Sequence, residues 1–178
     1  HHVVIMDEVD HLAEDAFGSP CILSDANAYS KEEIVAEIKL IFQADDIAEQ
    51  LIDENKNEYI DTKNVANKIV KLTPSGVNRA RELLGKRRLG FKWNHLIKKA
   101  LGANLCYEKD KDYEIGKNGK DEHEILIRDD KRGITLPGRR WGGGIHSALE
   151  AKEAKEAERA KLGIKINVQI DGKTINMV

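Results

Sequence analysis

At 178 residues, with 40% hydrophobic and 34% charged side chains, the chain is long enough to bury one good core, or one full domain with the edges of another. The charges nearly cancel at a net −2, which excludes a global basic field for nucleic acid. The longest apolar runs are too short to span a bilayer and the opening residues do not have the pattern of a secretory leader. Two widely separated cysteines, Cys21 and Cys106, offer no CxxC or metal spacing and fit a reducing compartment.

In chain order, Val3 to Met6 is an apolar run ending in Asp7 and Glu8, with Asp10 just beyond. Such a run suits a strand buried on both faces, with its carboxylates at the carboxyl end where open α/β sheets place ligands. A nucleoside-triphosphate motor needs an aspartate there for a hydrated magnesium ion and a glutamate to activate water, roles that Asp7 and Glu8 would fill. The same pattern also arises where a strand meets a solvated loop. A phosphate loop is required as well, and the nearest string, Gly85 to Lys92, has Phe91 where lysine belongs and Trp93 where serine or threonine belongs. The chain by itself is therefore expected not to hydrolyse ATP.

Gly18-Ser19-Pro20 and the short run Cys21 to Leu23 look like a connector between domains. Ser30 with Glu33 forms a capping box, and Ile34, Ile38, Ile41, Phe42, Ala48, Leu51 and Ile52 recur at helical spacing, predicting a helix over 31–52. Asp53, Asn55, Asn57, Ile60 and Asp61 fall at calcium-loop positions. Glu58 stands where that loop needs glycine and Asn64 where it needs a bidentate glutamate, which favours a polar helix-to-strand loop.

Residues 58–60 and 68–72 are expected as short strands, and Thr73-Pro74 starts a helix that stops at Gly85. Trp93, Leu96, Ile97, Ala100 and Leu101 mark the core face of the next helix, with His95 a structural polar residue on it. Residues 113–116 and 124–128 flank Asn118-Gly119 as a hairpin. Gly138 to Gly144, GRRWGGG, offers arginines that pair with acids across a domain seam or bind an anion at the following helix. That helix is expected over 145–162, with a Lys152–Glu156 pair on a solvated polar face, before a second hairpin about Asp171-Gly172.

Several of these segments resemble, in order, one family: SecA, the ATP-driven motor of bacterial and plastid preprotein translocation. The resemblance rests on His2, Val3 to Met6, DEVD, Asp15, Ser19-Pro20 and Cys21 to Ser24; on Leu72 to Leu84; and on His95, Ala100, Leu101, Asp112 and Tyr113. Its most specific part is Asp129-Asp130, Gly133, GRRW at Gly138 to Trp141, Gly144-Ile145-His146 and Glu150 to Glu153. The sequence departs from the family pattern at Ala16, Phe17, Gly18, Lys131 and Ile134, which marks a divergent member.

The resemblance implies an α+β fold: a preprotein cross-linking-type domain over 25–165, inserted on a two-stranded stem. Residues 1–24 would then be the edge of a P-loop nucleotide-binding domain, and 166–178 the returning stem strand. It further implies that Glu8 is catalytic, Asp7 holds magnesium through water and Asp10 couples to nucleotide, all in a parent ATPase using ATP and Mg. An unfolded preprotein or signal peptide and a SecYEG-type membrane channel would be the partners, at a cytoplasmic, membrane-peripheral location. Ile22, Leu23, Ile166 and Val168 are candidates for peptide binding by strand addition, and Arg139, Arg140 and Trp141 for the domain seam. A fragment of a DExD-type nucleic-acid helicase and a calcium-binding module are the alternatives. No nucleic-acid partner is expected, because basic and aromatic residues are not interleaved.

Overall fold

A computed structural model describes residues 30–117, 123–129, 132–170 and 173–174. The DEVD segment, with Asp7, Glu8 and Asp10, and the stem candidates Ile22 and Leu23 lie outside the described residues, as does the Asn118-Gly119 turn. The described chain is α+β, with four α-helices and three small antiparallel sheets.

Helix α1 spans Lys31–Tyr59. Its start follows from the capping box: Ser30 Oγ accepts from the Glu33 N–H at 3.2 Å, and Glu33 Oε2 accepts from the Ser30 N–H at 2.8 Å. The helix runs seven residues past the expected end, through the polar stretch assigned above to a loop. Asn55 breaks it with φ −163° and ψ 81°, and its side chain caps the next turn by accepting from the Glu58 N–H at 3.3 Å. Residues 53–58 are exposed, so this turn carries no apolar periodicity. Arg79 clamps it from outside, with Nε and Nη2 donating to the two Glu54 oxygens at 2.7 and 2.6 Å. The calcium-loop positions are therefore spent on helix and cap.

Strands β1 (Ile60–Asp61) and β2 (Lys71–Leu72) pair antiparallel around a 3₁₀ turn at Val65–Asn67. Helix α2 (Pro74–Leu83) begins on Thr73, whose Oγ1 accepts from the Gly76 N–H at 3.0 Å. It ends with Gly85 at φ +63°, where the Lys86 and Gly85 N–H groups donate back to Arg81 and Glu82 carbonyls. Helix α3 (Phe91–Leu105) buries Ile97, Ala100 and Leu101 as its stripe predicts, with Trp93 and Leu96 of the stripe partly buried, and it buries Ala103 as well.

Strands β3 (Tyr113–Lys117) and β4 (His123–Asp129) form the expected hairpin, in the register Tyr113 opposite Ile127. A third strand that the sequence reading lacks, β5 (Ile134–Leu136), extends the sheet beside β4. With only three residues and an exposed Ile134, it is too short for a period-2 signal. Helix α4 (Ile145–Arg159) stops three residues before the expected end. Lys161 takes the left-handed conformation at φ 51°, and the Leu162 N–H reaches back to the Ala157 carbonyl. Strands β6 (Gln169–Ile170) and β7 (Lys173–Thr174) close the second predicted hairpin.

Helix α1 packs against α2, α3 and α4, and α3 against α4. One core cluster joins the second half of α1 to α2, α3 and the β1–β2 ribbon through Ala48, Leu51, Ile60, Ala80, Ile97 and Leu101. A second joins α3 and α4 to the three-stranded sheet through Ala103, Tyr113, Ile125 and Leu149. A third sets Ile34, Ile38 and Ile41 of α1 against Ala151 and Val168.

Gly76 sits where α2 crosses the end of α1, and a Cβ there would stand 2.0 Å from the Tyr59 carbonyl oxygen. Backbone cannot yield as a side chain does, so Gly76→Ala is expected to cost about 2–3 kcal/mol of stability, with helix content retained at low denaturant. Urea unfolding followed by circular dichroism checks this.

Candidate functional site

Helix α4 carries most of the polar chemistry of the domain, and it does so on its buried face. A stripe of small residues, Ala148, Ala151 and Ala157, lets neighbouring elements approach, so the charged side chains between them reach partners rather than water. Glu150 and Glu153 are 1% and 2% exposed. The solvated face predicted for this helix is thus corrected at these positions, while Glu156, Glu158 and Arg159 are exposed. Its Lys152 lies 3.4 Å from the Ala103 carbonyl oxygen, so no Lys152–Glu156 pair forms.

Glu150 is held by Arg140 through two parallel bonds, Nη1 to Oε1 at 2.6 Å and Nη2 to Oε2 at 2.9 Å. It also accepts the Gln169 N–H at 2.8 Å, while the Gln169 carbonyl receives Ser147 Oγ at 2.6 Å and Arg140 Nη2 at 3.3 Å. Both backbone groups of one residue in the returning chain are therefore captured by the GRRW turn and α4. Burial pushes the Glu150 carboxyl up, opposed by the Arg140 charge and by the Gln169 N–H.

Trp141 packs edge-on against Tyr107 and Tyr113, with ring centroids 4.9 and 6.5 Å away, and tilts against His146 at 5.8 Å. Tyr113 donates its hydroxyl to Glu153 Oε1 at 2.5 Å, and burial with that carboxylate pushes the phenol far up. His146 Nδ1 accepts from the Trp141 N–H at 3.4 Å, which leaves the ring proton on Nε2, 3.5 Å from Glu150 Oε1. Burial and the Arg140 charge lower its pKa to about 4.

On the next turns of the helix, Lys155 donates to buried Asp45 of α1 at 2.8 Å and lies 2.6 Å from Asp46 and 3.0 Å from Glu49. Asn104 of α3 donates to the other Asp45 oxygen at 2.8 Å, joining three helices at one carboxylate. Arg159 grips Glu49 through two bonds and holds its carboxyl below the usual range.

Two of the clefts that flank this framework border α1. One, of about 390 Å³, opens among α1, α3 and the Gly142–Gly144 turn, and includes His95, Lys99, Trp141 and Gln169 in its walls. The other, of about 580 Å³, is a groove between α1, the end of α4 and residues 163–168, walled by Ile38, Phe42, Ala154, Ala157, Ile164 and Val168.

The sequence-predicted residues are distributed as follows. Arg140 and Trp141 come together at the start of α4, Arg140 facing inward onto Glu150 within this domain and Trp141 onto the aromatic cluster. Arg139 is exposed. Ile166 and Val168 are 7% and 4% exposed, so their side chains belong to the core while their segment forms the groove wall. Ile166 also bridges to His123 of β4. Glu150, Glu153, His146, Asp45 and Lys155 were missed as a set, although the acids at i and i+3 in an alanine-rich stretch were the available signal. His95 is exposed and stacks on Phe91, with centroids 6.3 Å apart. Among the described residues no group of three or more His, Cys, Asp or Glu side chains is placed to hold a metal ion, and no helix is long and apolar enough to cross a membrane.

The model of the SecA preprotein cross-linking domain matches residues 36–150. The protein translocase subunit SecA of Solibacter usitatus is 32% identical over 171 residues, covering 89% of this chain and 17% of that protein. Those of Elusimicrobium minutum and Deinococcus radiodurans are 36% and 34% identical over 162 and 164 residues, covering 84% and 88% of this chain and 18% of each relative. The chain thus spans less than a fifth of the length of the curated relatives it matches.

Removing Arg140 leaves Glu150 buried without its cation, so Arg140→Ala is expected to cost about 3–5 kcal/mol in denaturant unfolding, and Arg140→Lys less, because a lysine keeps the charge but not the fork. His146 supplies a separate pH signature. Its folded pKa near 4 lies below the ordinary 6.5, so the unfolded chain binds a proton that the folded chain refuses. Stability from this residue is complete above pH 6.5 and falls as pH drops toward 4, with a limiting slope of about 1.4 kcal/mol per pH unit. His146→Gln should flatten the profile between pH 6.5 and 5, measured by urea midpoints at each pH.

Proposed function

Because the chain belongs to the SecA family, as its preprotein cross-linking domain, we propose that it serves as the polypeptide-binding clamp of a protein-translocation motor. The observation that carries this reading is the groove between α1, α4 and residues 163–168, which is largely apolar and runs along the chain that links α4 to β6. Unfolded chains are commonly bound in this way: main-chain pairing to an extended segment tolerates any sequence, and apolar walls add affinity without dictating order. Ile22 and Leu23 would supply the companion stem strand, and Ile166 and Val168 anchor the existing wall in the core. Arg139 and Trp141 would sit near the seam with the rest of the motor.

In the parent protein, Asp7 would hold magnesium through water, Glu8 would activate the attacking water and Asp10 would couple the strand to nucleotide. This chain has no phosphate loop, so ATP and magnesium belong to the assembled parent. Residues 1–24 would be part of its nucleotide-binding domain and 166–178 the strand returning to it. An unfolded preprotein or signal peptide is the ligand in this reading, and a SecYEG-type channel is the membrane partner reached through the parent, at a cytoplasmic, membrane-peripheral location.

Amide NMR of the full chain tests the clamp. An unfolded, signal-sequence-like peptide should shift resonances of residues 163–168 and of Ile38 and Phe42, whereas Mg-ATP should shift none. Ala154→Glu, which places a charge on the groove wall, should weaken the peptide by at least about tenfold, a loss comparable to a buried apolar contact. Peptide shifts confined to other surfaces would overturn the assignment.

A further inference from the structure

A third cleft, of about 400 Å³, lies between the segment leading into β2, helix α3 and the turn before α4, and it shares no residue with the peptide groove. Its size is that of a ligand site. Lys68, Lys98, Lys99 and His95 stand in its walls, and none of the residues lining it is a carboxylate. The whole chain has 31 acidic residues against 29 lysines and arginines, so this is a local excess of positive charge and not a general property. Lys68 is already committed: it pairs with Asp112, and its ammonium sits 4.2 Å from the centre of the Tyr107 ring. Lys98 and Lys99 are half-buried, and among the described residues neither has an ion-pair partner.

Two unmatched ammonium groups drawn into one cleft repel each other, and a bound anion removes that cost. An apolar surface adjoins them. Ile69 is 48% exposed at the rim, beside walls formed by Tyr107, Trp141 and Ile145. The cleft also runs on into the one at Gly142–Gly144, with which it shares His95, Lys99, Trp141 and Gly142. A Cβ on Gly143 would stand 3.4 Å from Lys99 Nζ, and one on Gly144 3.7 Å from His95 Nε2, so side chains there would crowd the junction. A continuous depression of this length suits a chain rather than a compact ion. Successive helical positions point about 100° apart, so Lys98 and Lys99 suit separate carboxylates. A lysine also lacks the arginine fork and accepts a carboxylate from several directions, which tolerates a flexible ligand.

We propose that this cleft is a docking site for an acidic polypeptide segment of a partner protein, with carboxylates on Lys98 and Lys99 and an apolar or aromatic side chain against Ile69, Tyr107 and Trp141. Complementarity of this kind selects partners by the sign of their charge. The site differs from the groove in what it rejects, because a basic segment is repelled by the same lysines that hold the acidic one. It does not depend on the groove being a peptide site.

Amide NMR of the full 178-residue chain tests the proposal, with a short glutamate-rich peptide carrying a central phenylalanine as the probe. Resonances of Lys98, Lys99 and Gly142 and the Trp141 indole N–H should shift, those of residues 163–168 should not, and affinity should fall with added salt. A lysine-rich peptide of the same length should shift none of them. Replacing Lys98 and Lys99 together by glutamine should weaken the acidic peptide about 25-fold, at roughly fivefold per ion pair. Glutamine keeps the helix propensity, so circular dichroism should be unchanged, and Lys39→Gln with Lys63→Gln, exposed lysines outside the cleft, should alter binding less than about twofold. Ile69→Ser should weaken the phenylalanine-bearing peptide about fivefold and leave an all-glutamate peptide unchanged. Ala154→Glu should bind the acidic peptide normally while losing the signal-sequence-like one, which separates the two sites. Equal binding of acidic and basic peptides, or affinity unchanged by the Lys98 and Lys99 replacement, would overturn the proposal. Pyrophosphate shifting these resonances while the peptide shifts none would also overturn it and assign the cleft to a small oxyanion.

Discussion

The Arg140–Glu150 pair is the constraint on which the upper half of the domain depends. A chain leaving α4 has to turn back across the helix, and short extended segments do not hold themselves in place. Here both backbone groups of Gln169 are occupied, the N–H by Glu150 and the carbonyl by Ser147 and Arg140. The guanidinium thus ties the turn before α4 and the helix itself to the returning strand. A buried ion pair contributes little net stability compared with well-packed apolar residues of the same size, because desolvation offsets the attraction. What it contributes here is position, since the fork geometry admits one arrangement. That arrangement sets residues 163–168 against α1 and gives the groove its wall.

The same logic extends down α4. An alanine stripe brings its neighbours close, and three charged residues beside it meet distant partners: Glu153 with Tyr113 of the sheet, Lys155 with Asp45 of α1, Arg159 with Glu49. Asp45 is fully buried and shared by Lys155 and Asn104, which fixes the relative rotation of α1, α3 and α4 at one point. Dispersion alone would let helices with small side chains slide. Directional bonds along the second half of α4 remove that freedom, so α4 is a rigid spine between the sheet and α1.

The segments that carry the resemblance to the SecA family meet in one physical cluster. GRRW, Gly-Ile-His, the Glu150–Glu153 segment and Asp112-Tyr113 are separate stretches of sequence, yet Arg140 meets Glu150, Trp141 meets Tyr113 and His146, and Tyr113 meets Glu153. Their pattern is the pattern of one buried polar network. A change at any member leaves a buried donor or acceptor unpaired, which makes such sets costly to vary.

Local chemistry by itself determined where most elements begin and how they run. Ser30 with Glu33, Thr73 before Pro74, and Gly85 after α2 act within a few residues of themselves, and the apolar spacing of α1 and α3 named their buried faces correctly. Elements without local periodicity were misread. The turn after Asn55 is solvated and held by Arg79 from another helix, β5 is three residues long, and α4 ends on Lys161 rather than at a glycine. Tertiary structure alone decided the polar framework. An alanine-rich helix dense in Glu and Lys looks solvated in sequence, because nothing within four residues tells whether its small side chains expose the charges or let partners in. Only the approach of α1, the sheet and the returning strand, each distant along the chain, turned those charges inward.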